Sequence, residues 1–121
     1  MEILIAKSSG FCFGVKRAIN MAQECADEKQ EEIYTLGPII HNPQVVKKLE
    51  RSSIVPREGV GEIEEGTVII RSHGITLQET EEIDSKGLDM IDATCPFVKK
   101  AHEIVSLLCR EGYSVIVVGE K

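Results

Sequence analysis

Two cysteines of this sequence open nearly identical heptapeptides. Residues 12–18 read CFGVKRA and residues 95–101 read CPFVKKA, so a cysteine, a valine, two basic residues and an alanine recur in register 83 residues apart. A repeat of this length indicates duplicated structural units rather than a short solenoid. The two cysteines are therefore expected at equivalent positions around a pseudosymmetry axis, where they could bind one shared group.

The positions of Cys12 and Cys95 favour a metal-ligand role. Each precedes a helical pattern, and the free amides and dipole of a helix N-terminus stabilise a thiolate. Gly10 and Gly14 flank Cys12 and allow backbone to approach a bulky ligand. A single free cysteine is most often a small buried hydrophobe, but duplication within a matching motif favours a ligand. Zinc is disfavoured because its usual ligand spacing is absent, whereas thiolates from separate loops are compatible with an iron–sulfur cluster.

Cys25 and Cys109 are interpreted differently. Both fall on the apolar faces of predicted helices, so we expect them in the core. They do not correspond to each other under the repeat, which argues against a symmetric functional role.

Two histidines lie in loops that contain glycine. His41 belongs to the segment GPIIHNP at 37–43, and His73 to the segment SHG at 72–74. Imidazole N–H groups are good donors to phosphate oxygens. Each alone could equally be a loop-capping histidine, but the two together favour an anion site. His102, in the middle of a predicted helix, is assigned to a lobe boundary or to the surface.

Short β-branched runs alternate with helical patterns along the chain. This alternation predicts an α/β fold, with parallel strands joined by crossover helices. The predicted strands are 3–6, 33–36, 67–70, 90–91 and 114–118, and the predicted helices are 14–27, 43–51, 77–86 and 97–110. The acidic, glycine-rich segment 57–66 is interpreted as a surface loop.

The unusual residues all follow predicted strands. Ligands of open α/β sheets bind at the carboxyl ends of the strands, where loops and helix N-termini converge. We therefore expect Cys12, His41, His73 and Cys95 to gather at one edge of a parallel sheet.

Composition excludes two classes of partner. The 121 residues carry a net charge of −6, which argues against general nucleic-acid binding because that requires a basic surface. No apolar run approaches the length of a membrane span. The N-terminus does not resemble a signal peptide, so a cytoplasmic protein with reduced cysteines is expected. The basic pairs Lys16-Arg17 and Lys99-Lys100 are interpreted as solvated helix faces.

Four motifs, in this order, closely resemble the 4-hydroxy-3-methylbut-2-enyl diphosphate reductase family, and the resemblance runs from residue 1 to residue 121. The motifs are SGFCFGVKRA at 9–18, GPIIHNP at 37–43, RSHG at 71–74 and DATCP at 92–96. The resemblance implies an iron–sulfur oxidoreductase that ends the methylerythritol phosphate route to isoprenoids. It reduces an allylic diphosphate to isopentenyl and dimethylallyl diphosphate, with electrons from a ferredoxin- or flavodoxin-type donor.

The resemblance also implies roles for individual residues. Enzymes of the family have three similar α/β lobes around a central [4Fe-4S] cluster, and each lobe contributes one cysteine. Cys12 and Cys95 would be two of the three cluster ligands, and His41 and His73 would bind the diphosphate. The third cysteine and the proton-donating glutamate would lie beyond residue 121, so no catalytic residue is expected within this sequence.

The same resemblance and the repeat predict how the chain is divided. Residues 1–12 form a strand leading to the first cysteine and pack with the third lobe, residues 13–95 form the first lobe, and residues 96–121 open a second lobe. Shifted by the repeat, the loop 37–41 recurs from Gly119 and places its histidine two residues beyond Lys121. A longer protein is therefore expected.

Two alternatives to the reductase remain open. The 121 residues alone could form a catalytically inactive α/β lobe, or a small thiol-dependent redox or metal-binding module. An iron–sulfur absorbance after reconstitution distinguishes the first, and the ratio of zinc to iron distinguishes the second.

Overall fold

A parallel sheet with helices on both faces forms the body of the chain. The computed structural model describes residues 1–118. Its elements are α1 Phe13–Glu28, β1 Ile33–Leu36, α2 Pro43–Glu50, β2 Ile54–Arg57, a 3-10 turn Val60–Glu62, β3 Thr67–Ile70, α3 Leu77–Lys86, β4 Asp89–Asp92 and α4 Pro96–Arg110. The four strands are all parallel, in the order β2-β1-β3-β4. The predicted α/β fold class is confirmed.

The two central strands are buried along their whole length. All four residues of β1 and all four of β3 are buried, as expected of parallel strands covered on both faces. Alternate residues face two separate apolar clusters. Ile33 and Ile69 pack with α1, while Tyr34 and Val68 pack with Ile83 of α3. The sheet therefore holds α1 and α3 against opposite faces.

The helices begin in two different ways. The side chain of Asn42 caps α2 by accepting hydrogen bonds from Gln44 and Val45, and Thr76 and Glu79 form a capping box at the start of α3. By contrast, α1 and α4 start after Cys12 and Cys95 without any side-chain cap. Their first amides are left free beside the two cysteines.

An ion cluster ties the other end of α1 to the sheet. Lys29, the residue after α1, donates to Asp89 at 2.6 Å, to Glu31 at 2.8 Å and to the hydroxyl of Thr67 at 2.7 Å. The hydrogen bonds to Asp89 and Glu31 raise the pKa of Lys29. The far end of α1 is therefore anchored to β3 and β4.

β2 was not predicted from the sequence, and the segment 57–66 was wrongly assigned to a surface loop. The sequence did not predict β2 because Pro56 interrupts its strand pattern. A proline is accommodated here because β2 is an edge strand of the sheet. The predicted surface loop 57–66 includes the last residue of β2 and a 3-10 turn. Val60 and Ile63 within it are fully buried beneath α3, so the segment is part of the core.

The two terminal strands predicted at 3–6 and 114–118 are absent from residues 1–118. Ile3 and Ile116 are 75% and 85% exposed, and neither segment lies beside another strand. A strand needs a hydrogen-bonded neighbour, and the sheet offers none at these positions. The predicted loop from Gly119 lies outside the described residues.

Helix α4 forms as predicted but packs differently. None of its residues is buried, and Cys109, predicted in the core, is exposed. The reason is that no sheet lies against the apolar face of α4 within the described chain. Cys25 is buried on α1, as predicted. Within residues 1–118 no helix is both long and apolar enough to cross a bilayer.

Trimming the central strand should destabilise the fold. Ile69 is fully buried in β3, so Ile69→Val is expected to lower the free energy of unfolding by about 0.5–1.5 kcal/mol. The same change at Ile104, which is 49% exposed on α4, should cost less than about 0.5 kcal/mol. Urea unfolding followed by circular dichroism measures both, and equal losses would contradict the assignment of the core.

Candidate functional site

The loops after β1, β3 and β4 leave the sheet at one edge. These strands are adjacent and parallel, so their carboxyl ends lie side by side. His41 follows β1, His73 follows β3 and Cys95 follows β4. Cys12 does not follow a strand within the described residues. It reaches the same edge as the residue before α1, because the side chain of Cys95 lies against Gly14.

The two histidines stack on each other. Their ring centroids are 6.2 Å apart, and the rings are inclined by only 11°. Two imidazoles brought this close share one environment and can donate to the same anion. The two histidines therefore lie together, as expected, at one edge of the sheet, and their binding of an anion stays a prediction.

Arg71 lies beside the histidine pair. Gly37, with a φ of +67°, makes room for its guanidinium: a Cβ built on Gly37 would lie 2.6 Å from Nη1 of Arg71. The Nε of Arg71 is buried and has no hydrogen-bond partner among the described residues. A buried donor of this kind normally has a partner, so the edge holds a cation with unused hydrogen-bonding capacity.

The environment of His73 disfavours its charged form. Although His73 is exposed, its partial desolvation, the nearby Arg71 cation and His41 together lower its pKa below the ordinary value of 6.5. An anion bound between these groups would reverse the balance by compensating the positive charge.

The side chain of Cys95, directly before α4, lies against the first turn of α1, which begins directly after Cys12. Cys12 is exposed and Cys95 is half-buried. A Cβ on Gly14 would lie 2.6 Å from Sγ of Cys95, so only glycine admits the Cys95 side chain at this point. The backbone N–H of Cys95 donates to the carbonyl of Ser72 at 2.8 Å. This hydrogen bond joins the cysteine loop to the loop that contains His73.

Asp92 shapes the loop that carries Cys95. One carboxylate oxygen accepts from the N–H of Thr94 at 2.9 Å, and the other accepts from Nζ of Lys99 at 2.7 Å. Burial raises the pKa of Asp92, but these hydrogen bonds outweigh it and leave the pKa below its ordinary value. The same ion pair raises the pKa of Lys99. Asp92 therefore stays ionised and holds the turn against the start of α4.

The two thiols fit a shared metal cluster as partial ligands. They stand at helix N-termini that have no side-chain cap, and Gly14 makes room for the side chain of Cys95. No group of three or more His, Cys, Asp or Glu side chains that could hold a metal ion occurs in residues 1–118. Cys12 and Cys95 would therefore need further ligands to complete a site.

Three polar residues at this edge were not assigned a role from the sequence. Arg71 belongs to the RSHG motif, two residues before His73, and that position could have indicated a role in the same site. Arg17 was interpreted as part of a solvated face but is half-buried and donates to the carbonyl of Thr94. His102, predicted at a lobe boundary or the surface, is exposed and lies against Gly74: a Cβ there would be 3.1 Å from Cε1 of His102.

The chain is a parallel α/β lobe. It carries two cysteines and two histidines near the carboxyl ends of its strands. A family model described as LytB protein matches residues 3–121, and the chain belongs to the LytB family. The resemblance inferred from the four motifs is confirmed at the level of the family.

Relatives of the chain carry the name 4-hydroxy-3-methylbut-2-enyl diphosphate reductase. The protein of Geobacter metallireducens is 58% identical over 120 residues, which is 99% of this chain and 42% of the relative. That of Aquifex aeolicus is 54% identical over 121 residues, with coverage of 100% and 42%. The chain thus spans less than half the length of these relatives.

Two solved structures are similar to the chain. One is described as (E)-4-hydroxy-3-methyl-but-2-enyl diphosphate reductase, the terminal enzyme of the non-mevalonate pathway. It is 55% identical, has a TM-score of 0.84, and the match covers 98% of this chain and 42% of that structure. The other, a reductase from Plasmodium falciparum, is 38% identical with a TM-score of 0.84 over 88% and 34% of the two chains.

The depressed pKa of His73 should be measurable. In an NMR titration its midpoint is expected below 6.5, because partial desolvation and Arg71 oppose protonation. His41→Asn should raise the midpoint, and added pyrophosphate should raise it further.

The urea-unfolded chain provides the reference titration. Since the unfolded His73 binds a proton more readily, this residue makes the fold less stable as the pH falls below 6.5, until the folded form also titrates. A midpoint at or above 6.5 in the folded, anion-free chain would contradict the description of the site.

Proposed function

We propose that the chain forms the N-terminal part of a reductase that acts on 4-hydroxy-3-methylbut-2-enyl diphosphate. The reaction would add two electrons and two protons, break the carbon–oxygen bond of the hydroxyl, and release water with isopentenyl or dimethylallyl diphosphate. The observation that carries the proposal is the convergence of two cysteines and two stacked histidines at one sheet edge of a LytB-family chain.

In this proposal Cys12 and Cys95 hold two irons of a [4Fe-4S] cluster. Thiolates are the usual ligands of such clusters, and the free amides at the start of α1 and α4 stabilise the ionised sulfurs. The cluster, when bound, supplies the electrons and a Lewis-acidic iron. The third cysteine and the proton-donating glutamate would come from the remaining length of the protein.

His41 and His73 would bind the diphosphate. Their stacked rings can present N–H donors to neighbouring phosphate oxygens, and the unpartnered Nε of Arg71 adds positive charge at the same edge. The low pKa of His73 in the absence of an anion means that its protonation would be coupled to substrate binding.

The organisation of the whole protein follows from the same proposal. Residues 13–95 would be the first of three lobes, 96–121 would open the second, and 1–12 would pair with the third. The uncovered segment 3–5 and the uncovered face of α4 support this division, since both expose large apolar side chains. A ferredoxin- or flavodoxin-type protein would supply electrons in the cytoplasm, where reduced cysteines persist. The 121 residues alone would be inactive.

Removing either proposed ligand should remove the cluster. The experiment uses a chimera that joins this chain to the remaining length of the Geobacter metallireducens relative. Cys12→Ser or Cys95→Ser should each lose most of the bound iron and nearly all turnover after anaerobic reconstitution, because each removes one of three protein anchors.

Cys25→Ala and Cys109→Ala are the matched controls. Each should retain its iron, and the change at the buried Cys25 should cost only packing, about 1 kcal/mol. Iron content, visible absorbance and a methyl viologen assay report the outcome. Full iron in Cys12→Ser, zinc in place of iron, or turnover by the 121 residues alone would each overturn part of the proposal.

The histidines should affect substrate binding but not the cluster. In the same chimera, His41→Ala or His73→Ala should weaken diphosphate binding by about 1.5–3 kcal/mol, on the order of 10- to 100-fold, as expected for a charge-assisted donor. The visible spectrum should not change. Gln78→Ala, an exposed position just beyond the same loop, serves as the control. Unaltered Michaelis constants in both histidine variants would contradict the assignment.

A further inference from the structure

We propose that Arg17 is a positioning residue that sets the spacing between the thiols of Cys12 and Cys95. It lies on α1, which begins directly after Cys12, and it binds the carbonyl that directly precedes Cys95. The functional meaning of that spacing rests on the proposed function, in which both cysteines bind one cluster.

The contact joins α1 to the loop that carries Cys95. The same two parts also meet where Cys95 lies against Gly14 and where Ala93 shares an apolar cluster with Ala18 and Ala22. Nη1 of Arg17 donates to the carbonyl oxygen of Thr94 at 3.3 Å. Among the described residues this is the only side-chain hydrogen bond from α1 to the loop that carries Cys95. The donor is half-buried and cationic, and both properties strengthen a hydrogen bond to a carbonyl.

The cysteine loop is held firmly by elements other than α1. Ala93 donates to Ile70 at 3.2 Å and Cys95 donates to Ser72 at 2.8 Å, so the loop follows β3. Asp92 then joins the loop to Lys99 of α4. Without Arg17 the loop would meet α1 through the packing of Ala93 and Cys95, with no side-chain hydrogen bond from α1 within residues 1–118.

Helix α1 is held mainly away from the cysteines. Lys29 anchors its far end to the sheet, and the residues it buries beyond Gly14 are the small side chains Ala18, Ala22 and Cys25. The larger side chains of Val15 and Ile19 also pack against this core and are partly buried. Apolar packing of this kind is not directional. The bond from Arg17 adds a directional contact between this end of α1 and the loop that carries Cys95.

Lys16 separates the effect of position from the effect of charge. It is the neighbouring cation on α1, it is exposed, and its side chain makes no hydrogen bond within residues 1–118, although its backbone N–H donates to the carbonyl of Cys12. Loss of Lys16 or of Arg17 removes one positive charge near the thiols, but only loss of Arg17 removes the bond to Thr94. A lysine at position 17 keeps the charge and one donor, although it lacks the planar group that can donate from several nitrogens.

The test measures the proximity of the two thiols in the 121-residue chain. Cys25→Ala and Cys109→Ala provide a background in which only Cys12 and Cys95 can react. Dibromobimane, which becomes fluorescent when it bridges two thiols, gives the rate of crosslinking. This rate is divided by the rate with monobromobimane in the same variant, so that a change in thiol exposure or reactivity cancels.

Arg17→Met should lower the normalised crosslinking rate by about tenfold, the equivalent of one hydrogen bond from a charged group. Lys16→Met should leave it unchanged, and Arg17→Lys should restore part of it. If Arg17→Met loses its helical circular dichroism, Arg17→Gln replaces it, because glutamine is too short to reach the carbonyl of Thr94. A rate for the Met or Gln variant equal to that of Lys16→Met would overturn the proposal.

This readout needs no cluster, so its failure is distinct from failure of the proposed function. Reduced crosslinking in Arg17→Met together with undiminished iron in Cys12→Ser of the chimera would support the positioning role and refute the cluster. Undiminished crosslinking together with iron loss in Cys12→Ser would do the opposite.

Discussion

Parallel pairing of β1, β3 and β4 is the constraint on which the site depends. Because the three strands run in the same direction and end within about one residue of each other, the segments that follow them emerge together. If β3 ran in the opposite direction, its four residues would carry His73 about 13 Å away, to the other end of the sheet. The stacked histidines and the bond from Cys95 to Ser72 would then be impossible.

The four helices at this edge begin in two ways, with or without a side-chain cap. Asn42 and Thr76 use their own side chains to satisfy the first amides of α2 and α3. The cysteines before α1 and α4 do not, and the free amides remain available to negative charge. The capped starts of α2 and α3 therefore stabilise the lobe. The uncapped starts of α1 and α4 leave backbone N–H groups that can donate to a thiolate or to a bound anion.

The sequence predicted the elements that local pattern determines. Alternating β-branched and helical segments were enough for β1, β3 and all four helices, and strand ends were enough to bring His41, His73 and Cys95 together. β2 was missed because proline disguises an edge strand. The contact of Arg17 could not be predicted, because a basic residue on a helix looks solvated until the neighbouring loop is placed. Arg71 was indicated only by its place two residues before His73 in the RSHG motif.

The two copies of the repeat show which structural features a local sequence pattern determines. α1 and α4 begin with the same motif, yet α1 buries Ala18 and Ala22 whereas α4 buries nothing within the described chain. The heptapeptide motif therefore determines where each helix begins and where its cysteine lies. Whether the helix is buried depends on whether a sheet packs against its apolar face. Under the repeat, Lys100 is the equivalent of Arg17, and its exposure fits this division. Arg17 has a loop to bind because β4 places Thr94 beside α1, whereas the side chain of Lys100 donates to no loop carbonyl within residues 1–118. The hydrogen bond from Arg17 to the Cys95 loop thus depends on which elements lie next to α1. The heptapeptide motif alone does not determine it.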